Sequence, residues 1–232
     1  MERPSDRSVD LTPTRQAWHT VAEHVLAAAL HRVTGRIGLR AAPGGFGTPP
    51  FPSANGSMTI RVDGVDLTVA DDTGERRSVL TTVREAAAFV GVEAGAPADV
   101  YTPATPLDLD RPLVIDPAAA ACLAAFFDLS DRALGRLCAD AADADPAAVQ
   151  LWPEHFDLAT TISEVNYGGA AGDDEHALPY LYVGPWSPPA ADGGFWNESF
   201  GASLTAEDGV TLDDAVGFLR EGRRRSSTHR PD

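Results

Sequence analysis

Apolar and polar positions follow two rhythms along this chain, and the switches between them mark its elements. From residue 13 to 34 the side chains Trp18, Val21, Ala22, Val25, Leu26, Ala29, Leu30 and Val33 recur at i, i+3, i+4 and i+7, the spacing of an amphipathic helix. Pro13 or Thr14 opens it. Gly35 stops it, since glycine adopts the left-handed conformation of a helix end without a Cβ penalty. His24 and His31 ride on one flank of the stripe, His24 beside Glu23 at the apolar edge; His19 is on the polar side. A short strand is expected over residues 36–41. A period of two then runs through residues 58–62 and 65–69 around Asp63-Gly64, a hairpin signal. In that register Val62 faces Val65, Ile60 faces Leu67 and Met58 faces Val69, and all six share a buried face.

Residues 71–75 read as a turn, and Ser78 as the cap of a helix that carries Val79 to Val90 and ends at Gly91. Residues 94–112 are a Pro- and Ala-rich connection, the place for a subdomain boundary. A short strand is expected at residues 113–115. Asp116 followed by Pro117 is a favoured helix start, with a second cap expected at Ser130. Thr211 and Asp214 form a capping box for a last helix.

The chemistry gathers in residues 151–204, which hold Trp152, Trp186 and Trp196, Tyr167, Tyr180 and Tyr182, and His155 and His176. Residues 155–163 and 179–185 alternate as strands. Paired as antiparallel neighbours, with Leu158 level with Val183, they bury Phe156, Leu158, Ile162, Leu181 and Val183 on one face. His155, Asp157, Tyr180, Tyr182 and Trp186 then share the other, with Gly184 opening space. Such an aromatic wall with a few convergent polar groups is a candidate small-molecule pocket. Trp186 and Trp196 are candidate ring platforms for the ligand, and Asn197 and Glu198 are expected to close the pocket mouth. His155 and Asp157 are also candidates for metal-assisted hydrolysis with Asp174 and His176 of the Asp173–His176 loop. The hairpin places the two histidines roughly 33 Å apart unless that loop folds back, so no metal site is assigned. The glycines at 168, 169 and 172 are expected in a mobile loop.

Composition narrows these readings. The chain has 232 residues, 44% of them hydrophobic and 22% charged, values of a globular protein. A net charge of −16 argues against a nucleic-acid partner, which calls for a basic stripe. No apolar run reaches membrane-spanning length, and the first residues lack the apolar core of a signal peptide, so a cytoplasmic location is expected. Cys122 and Cys138 are too few for a disulfide framework and are expected as buried free thiols. The run PGGFG at 43–47 lacks the Lys and Ser/Thr of a phosphate loop. Absence of Lys beside abundant Ala, Gly and Pro suggests a GC-rich bacterial source.

The segments LWPEHFDLA at 151–159, PYLYVGPW at 179–186, and Trp196 with Gly201, Ala202 and Leu204 resemble an uncharacterised bacterial family, a domain of unknown function. The resemblance covers the last third of the chain and implies no activity. The expectation is therefore an α+β protein, an antiparallel sheet with helices packed on one face. It has a flexible N-terminus at 1–12, one domain at 13–222 and a disordered basic tail at 223–232. Its leading function is small-molecule binding; a protein-interaction subunit is the further alternative.

Overall fold

The computed structural model describes residues 9–191, 193–207 and 209–228. Residues 12–34 form one long helix in three parts: α1 (Thr12–Val21), a π-helical segment (Ala22–Ala27) and α2 (Ala28–Thr34), closed by Gly35 at φ 70°. The first sheet contains β1 (Arg40–Ala42), β2 (Gly45–Gly47), β3 (Phe51–Ser53), β4 (Gly56–Asp63), β5 (Asp66–Asp71) and β6 (Gly74–Val79). Its order is β1-β2-β4-β5-β6, with β3 paired to β4. Helices α3 (Val83–Val90) and α4 (Pro117–Asp140) follow. The second sheet is a meander of β7 (Gln150–Trp152), β8 (Asp157–Ile162), β9 (Val165–Ala170), β10 (Tyr180–Pro185) and β11 (Ala202–Thr205), and α5 (Leu212–Thr228) comes last. Every strand pair is antiparallel, so the fold is α+β.

The two sheets meet where Leu39 and Leu151 exchange backbone hydrogen bonds of 2.8 and 2.9 Å. One contiguous apolar cluster runs beneath both, from Leu11 to Leu219. Its centre is aromatic. Phe46 of β2 stands edge-on to Trp18, Phe127 and Phe156, with centroids 5.6, 6.4 and 5.3 Å away. Such edge contacts stabilise beyond the burial of area itself. Helix α4 lies on the inner face of the second sheet, where a Cβ on Gly169 would fall 2.3 Å from Ser130 Oγ and 3.2 Å from Phe126.

Several expectations are corrected. The Asp63-Gly64 hairpin keeps its buried face but slips by two residues, and the expected pairing of residues 155–163 with 179–185 is offset by two as well. Val62 pairs with Leu67 and Ile60 with Val69; Leu158 is level with Leu181 rather than Val183, through Gly169. An even slip preserves which side chains point inward. Val65 leaves the ladder and becomes part of the turn. The strands at 157–162 and 180–185 are not neighbours, because β9 lies between them. The glycines at 168 and 169 therefore sit in a central strand rather than a mobile loop.

Ser78 belongs to edge strand β6. Thr82 caps α3 instead, its hydroxyl accepting the Glu85 N–H at 3.2 Å. Asp116 caps α4 as expected, but the helix continues through Ser130, which is buried mid-helix. Residues 113–115 form no strand. The arginines at 223–225 are helical: Arg223 donates to the Asp140 carbonyl, and Arg224 and Arg225 to Glu221. Residues 1–8 and 229–232 of the expected flexible ends lie outside the described residues. Cys122 is exposed and Cys138 half-buried.

Candidate functional site

The outward face of the second sheet carries Asp157, Gly168, Tyr180, Tyr182 and Ser203, set there by strand alternation. Tyr182 pairs with Gly168 of β9. A Cβ at 168 would lie 2.4 Å from the ring carbon Cζ, so only glycine lets the phenol lie across the strand. The ring crosses β9, and its hydroxyl donates to Asp157 Oδ2 of β8. Asp157 is 7% exposed, and its Oδ1 is buried without a partner. Burial raises the Asp157 carboxyl above the usual carboxylate range, against the opposing effect of the Tyr182 bond. Burial, then the neighbouring Asp157, pushes the Tyr182 phenol well up. The phenol therefore keeps its proton and donates it.

Asp173 joins this face to its surroundings. Its Oδ1 accepts the backbone N–H groups of Glu175 at 2.8 Å and His176 at 2.7 Å, which folds the loop tightly. Its Oδ2 accepts the Tyr180 hydroxyl at 2.7 Å. The His176 ring lies between Asp173 Oδ1, 3.3 Å from Nδ1, and Glu198 Oε1, 3.0 Å from Nε2. The hydrogen bond to Glu198 raises the His176 pKa, with Asp173 adding to it. Burial pushes Asp173 up, but Tyr180, the two amides and the His176 ring together hold it below its ordinary value. Ser203 Oγ donates to Glu198 at 2.7 Å. It does not donate to His176, so the set lacks the hydroxyl-to-imidazole bond of a serine nucleophile.

Behind Asp173 a cleft of about 660 Å³ opens between α1, residues 104–114, the turn at 155–156 and the loop at 172–175. Its walls are fixed by buried polar clamps. Glu23, in the π-helical segment, accepts the N–H groups of Ala104 and Thr105, each at 2.8 Å, and the Thr105 hydroxyl at 2.5 Å. His24 Nδ1 accepts the Ala96 N–H at 3.1 Å, so its Nε2 carries the hydrogen and donates to the Thr105 carbonyl at 3.0 Å. These two residues tie the 94–112 connection to the long helix.

His19 stacks on Phe156 at 5.1 Å, and its Nε2 lies 2.8 Å from the Pro153 carbonyl. Burial lowers its pKa, outweighing the opposite pull of Glu23, so the neutral ring donates there. Phe156 has φ 53°, unusual for a bulky side chain. That turn buries Phe156 and leaves His155 exposed on the cleft wall. Arg15 also lines the cleft, 8% exposed. It donates to the Ala177 carbonyl at 3.5 Å and the Asp173 carbonyl at 3.3 Å. The sequence holds a signal for it: Arg15 sits three residues before Trp18, a charge on the stripe that reads as core.

The structure thus brings Asp157, Tyr180, Tyr182, His176 and Glu198 together and places the other candidates apart. The expected common face of His155, Asp157, Tyr182 and Trp186 does not form, because His155 precedes the strand in a turn and Trp186 follows β10 at its far end. Six strand residues put Trp186 roughly 20 Å from Tyr180. It is 65% exposed, its indole N–H 3.4 Å from Asn166 Oδ1. Trp196 is buried against Phe195, with centroids 5.0 Å apart. Asn197 bonds the Ser203 backbone through both its amide nitrogen and its oxygen, at 3.1 and 2.8 Å. Asp174 is exposed on the cleft rim. Among the described residues His155, Asp157, Asp174 and His176 form no metal cluster, and no other group of His, Cys, Asp and Glu does. No helix among them is long and apolar enough to cross a membrane. Comparison with family models, curated proteins and solved structures finds no match to this chain.

Proposed function

We propose that this protein binds a small molecule, and that the ligand occupies the cleft between α1 and the 172–175 loop. The observation that carries this reading is the cleft itself. Its volume falls within the range of about 300–1,000 Å³ typical of small-molecule sites. Apolar surface from Ala17, Leu113 and Phe156 meets the polar groups Arg15, His19, Thr20 and His155 there. Clamps from Glu23, His24 and Asp173 hold its walls, and a preformed site loses little on ordering when it binds. A thermal-shift screen of wild type and Gln16→Trp against a metabolite panel tests it. Gln16 is an exposed helix position that lines the cleft, so tryptophan there fills the space without disturbing the core. At least one compound should raise the melting temperature of wild type alone, since a ligand at one hundred times its Kd adds about 2.7 kcal/mol. No shift, or an equal shift in both proteins, contradicts the reading.

A second reading attaches to the other end of the same sheet. Trp186 is 65% exposed beside a groove of about 470 Å³ that also reaches Trp196 and Arg223, and an exposed aromatic at a groove suits a protein partner. Solution mass with and without Trp186→Ala tests self-association through it; a mass unchanged by the substitution counts against that form of the reading.

A further inference from the structure

We infer, on the reading that the cleft is a binding site, that its ligand is a small zwitterion whose carboxylate docks on Arg15 and whose ammonium faces the 173–175 loop. Arginine carries five N–H donors and stays charged. Arg15 is 8% exposed, and a buried charge is costly without a partner of opposite sign. The acceptors shown for it are two backbone carbonyls at 3.5 and 3.3 Å, long for N–H···O bonds and neutral. Among the described residues no carboxylate pairs with it. Gly172 makes the seat: a Cβ there would come 2.6 Å from Nη1. Arg15 and Gly172, the residue that sits against its Nη1, both line the cleft, and Arg15 lies in the first turn of α1, where the helix dipole also favours negative charge. A carboxylate accepts the flat fork of arginine through two parallel bonds.

The rest of the wall decides the class of ligand. Its other formal charges are Arg111 against Asp108, Asp173, Asp174 and Glu175, and the whole chain carries −16. A simple anion meets repulsion on approach. A simple cation leaves Arg15 unpaired. A molecule with both groups satisfies both walls. The Asp173 carboxylate is already held by Tyr180 and His176, which leaves the exposed Asp174 and Glu175 to face the ammonium. An α-amino acid is the simplest member of this class.

Amide-detected NMR titration of the full chain tests the inference. The probes are a mixture of L-amino acids, the amines that correspond to them without the carboxylate, and the carboxylic acids that correspond without the amine. Amino acids should shift the amides of Arg15, Gly172 and Asp174, and both half-molecules should bind at least tenfold more weakly. Arg15→Gln should weaken amino-acid binding roughly 10- to 100-fold, the loss of a charged hydrogen-bond pair. Arg15→Lys keeps the charge but loses the fork and should weaken binding as well, so the result stands if the glutamine variant folds poorly. Equal binding of amines or neutral metabolites by wild type and both Arg15 variants overturns the zwitterion and leaves the cleft as a binding site. No shift with any probe, together with an empty metabolite screen, overturns both.

Discussion

The outward faces of the two sheets make opposite use of the same alternation. In the first sheet Arg77 stands between Asp63 and Asp66, at 3.0 Å from each, with its side chain 49% exposed. In the second sheet Asp157 and Tyr182 hold one another beneath covering side chains: Phe200 stands edge-on to Tyr182 at 6.5 Å, and His176 lies 4.4 Å from Tyr180. The Arg77 end of these pairs reaches water, which screens its charge. Under cover the local dielectric falls, and a hydrogen bond made or lost matters more. Coverage by loops, rather than strand pattern, separates a solvated surface from a polar network.

The largest effect should come from removing what the two sheets share. Phe127→Ala, at a fully buried position in contact with Phe46 and Phe156, should cost about 3–5 kcal/mol. Denaturation followed by both circular dichroism and tryptophan fluorescence should give one coincident transition; two separate transitions would mean that the sheets are independent and their faces cannot be compared as parts of one unit. Next, Gly168→Ala drives a methyl group into the Tyr182 ring and should cost about 1–3 kcal/mol, the usual penalty of overpacking. Wild-type stability in that variant would show that the ring does not need the glycine.

A smaller effect is pH-dependent. The His176 pKa is raised in the folded state, so its contribution is fully present below the unfolded value near 6.5 and is lost as pH rises through the raised one. Its partners Asp173 and Glu198 are lowered, so their contribution is lost only as pH falls through those depressed values. Melting temperature should therefore decline from neutral to alkaline pH in wild type, a range in which His19, lowered by burial, is neutral whether folded or unfolded, and His176→Gln should flatten that decline; identical slopes would remove His176 from the network's titration. The smallest change is expected for Arg77→Ala, whose effect on melting should vanish at high salt because exposed pairs are screened. A loss that persists in salt would break the contrast between the two faces.

Much of the fold was legible locally. Gly35, Gly91, Asp116 and the Thr211/Asp214 box mark helix ends as expected, since caps depend on a few adjacent residues. The site was legible only in part. Asp157, Tyr180 and Tyr182 share a face, as their alternation implies, while Phe156 breaks that alternation and carries His155 away from them. Residues 165–170, with Gly168 and Gly169, look like a loop because their small side chains conceal a strand; the glycines are there to admit Tyr182 and α4.

By itself, the sequence determined parity, caps and the amphipathic stripe of the first helix, because each is written in spacings of two to four residues. Only the tertiary structure decided that β9 enters between β8 and β10, that both expected registers shift by two, and that Arg15 and Asp157 lose their water. Pairing partner and burial depend on segments far apart in the chain, and an even slip leaves no trace in the local pattern, since it returns every side chain to the same face.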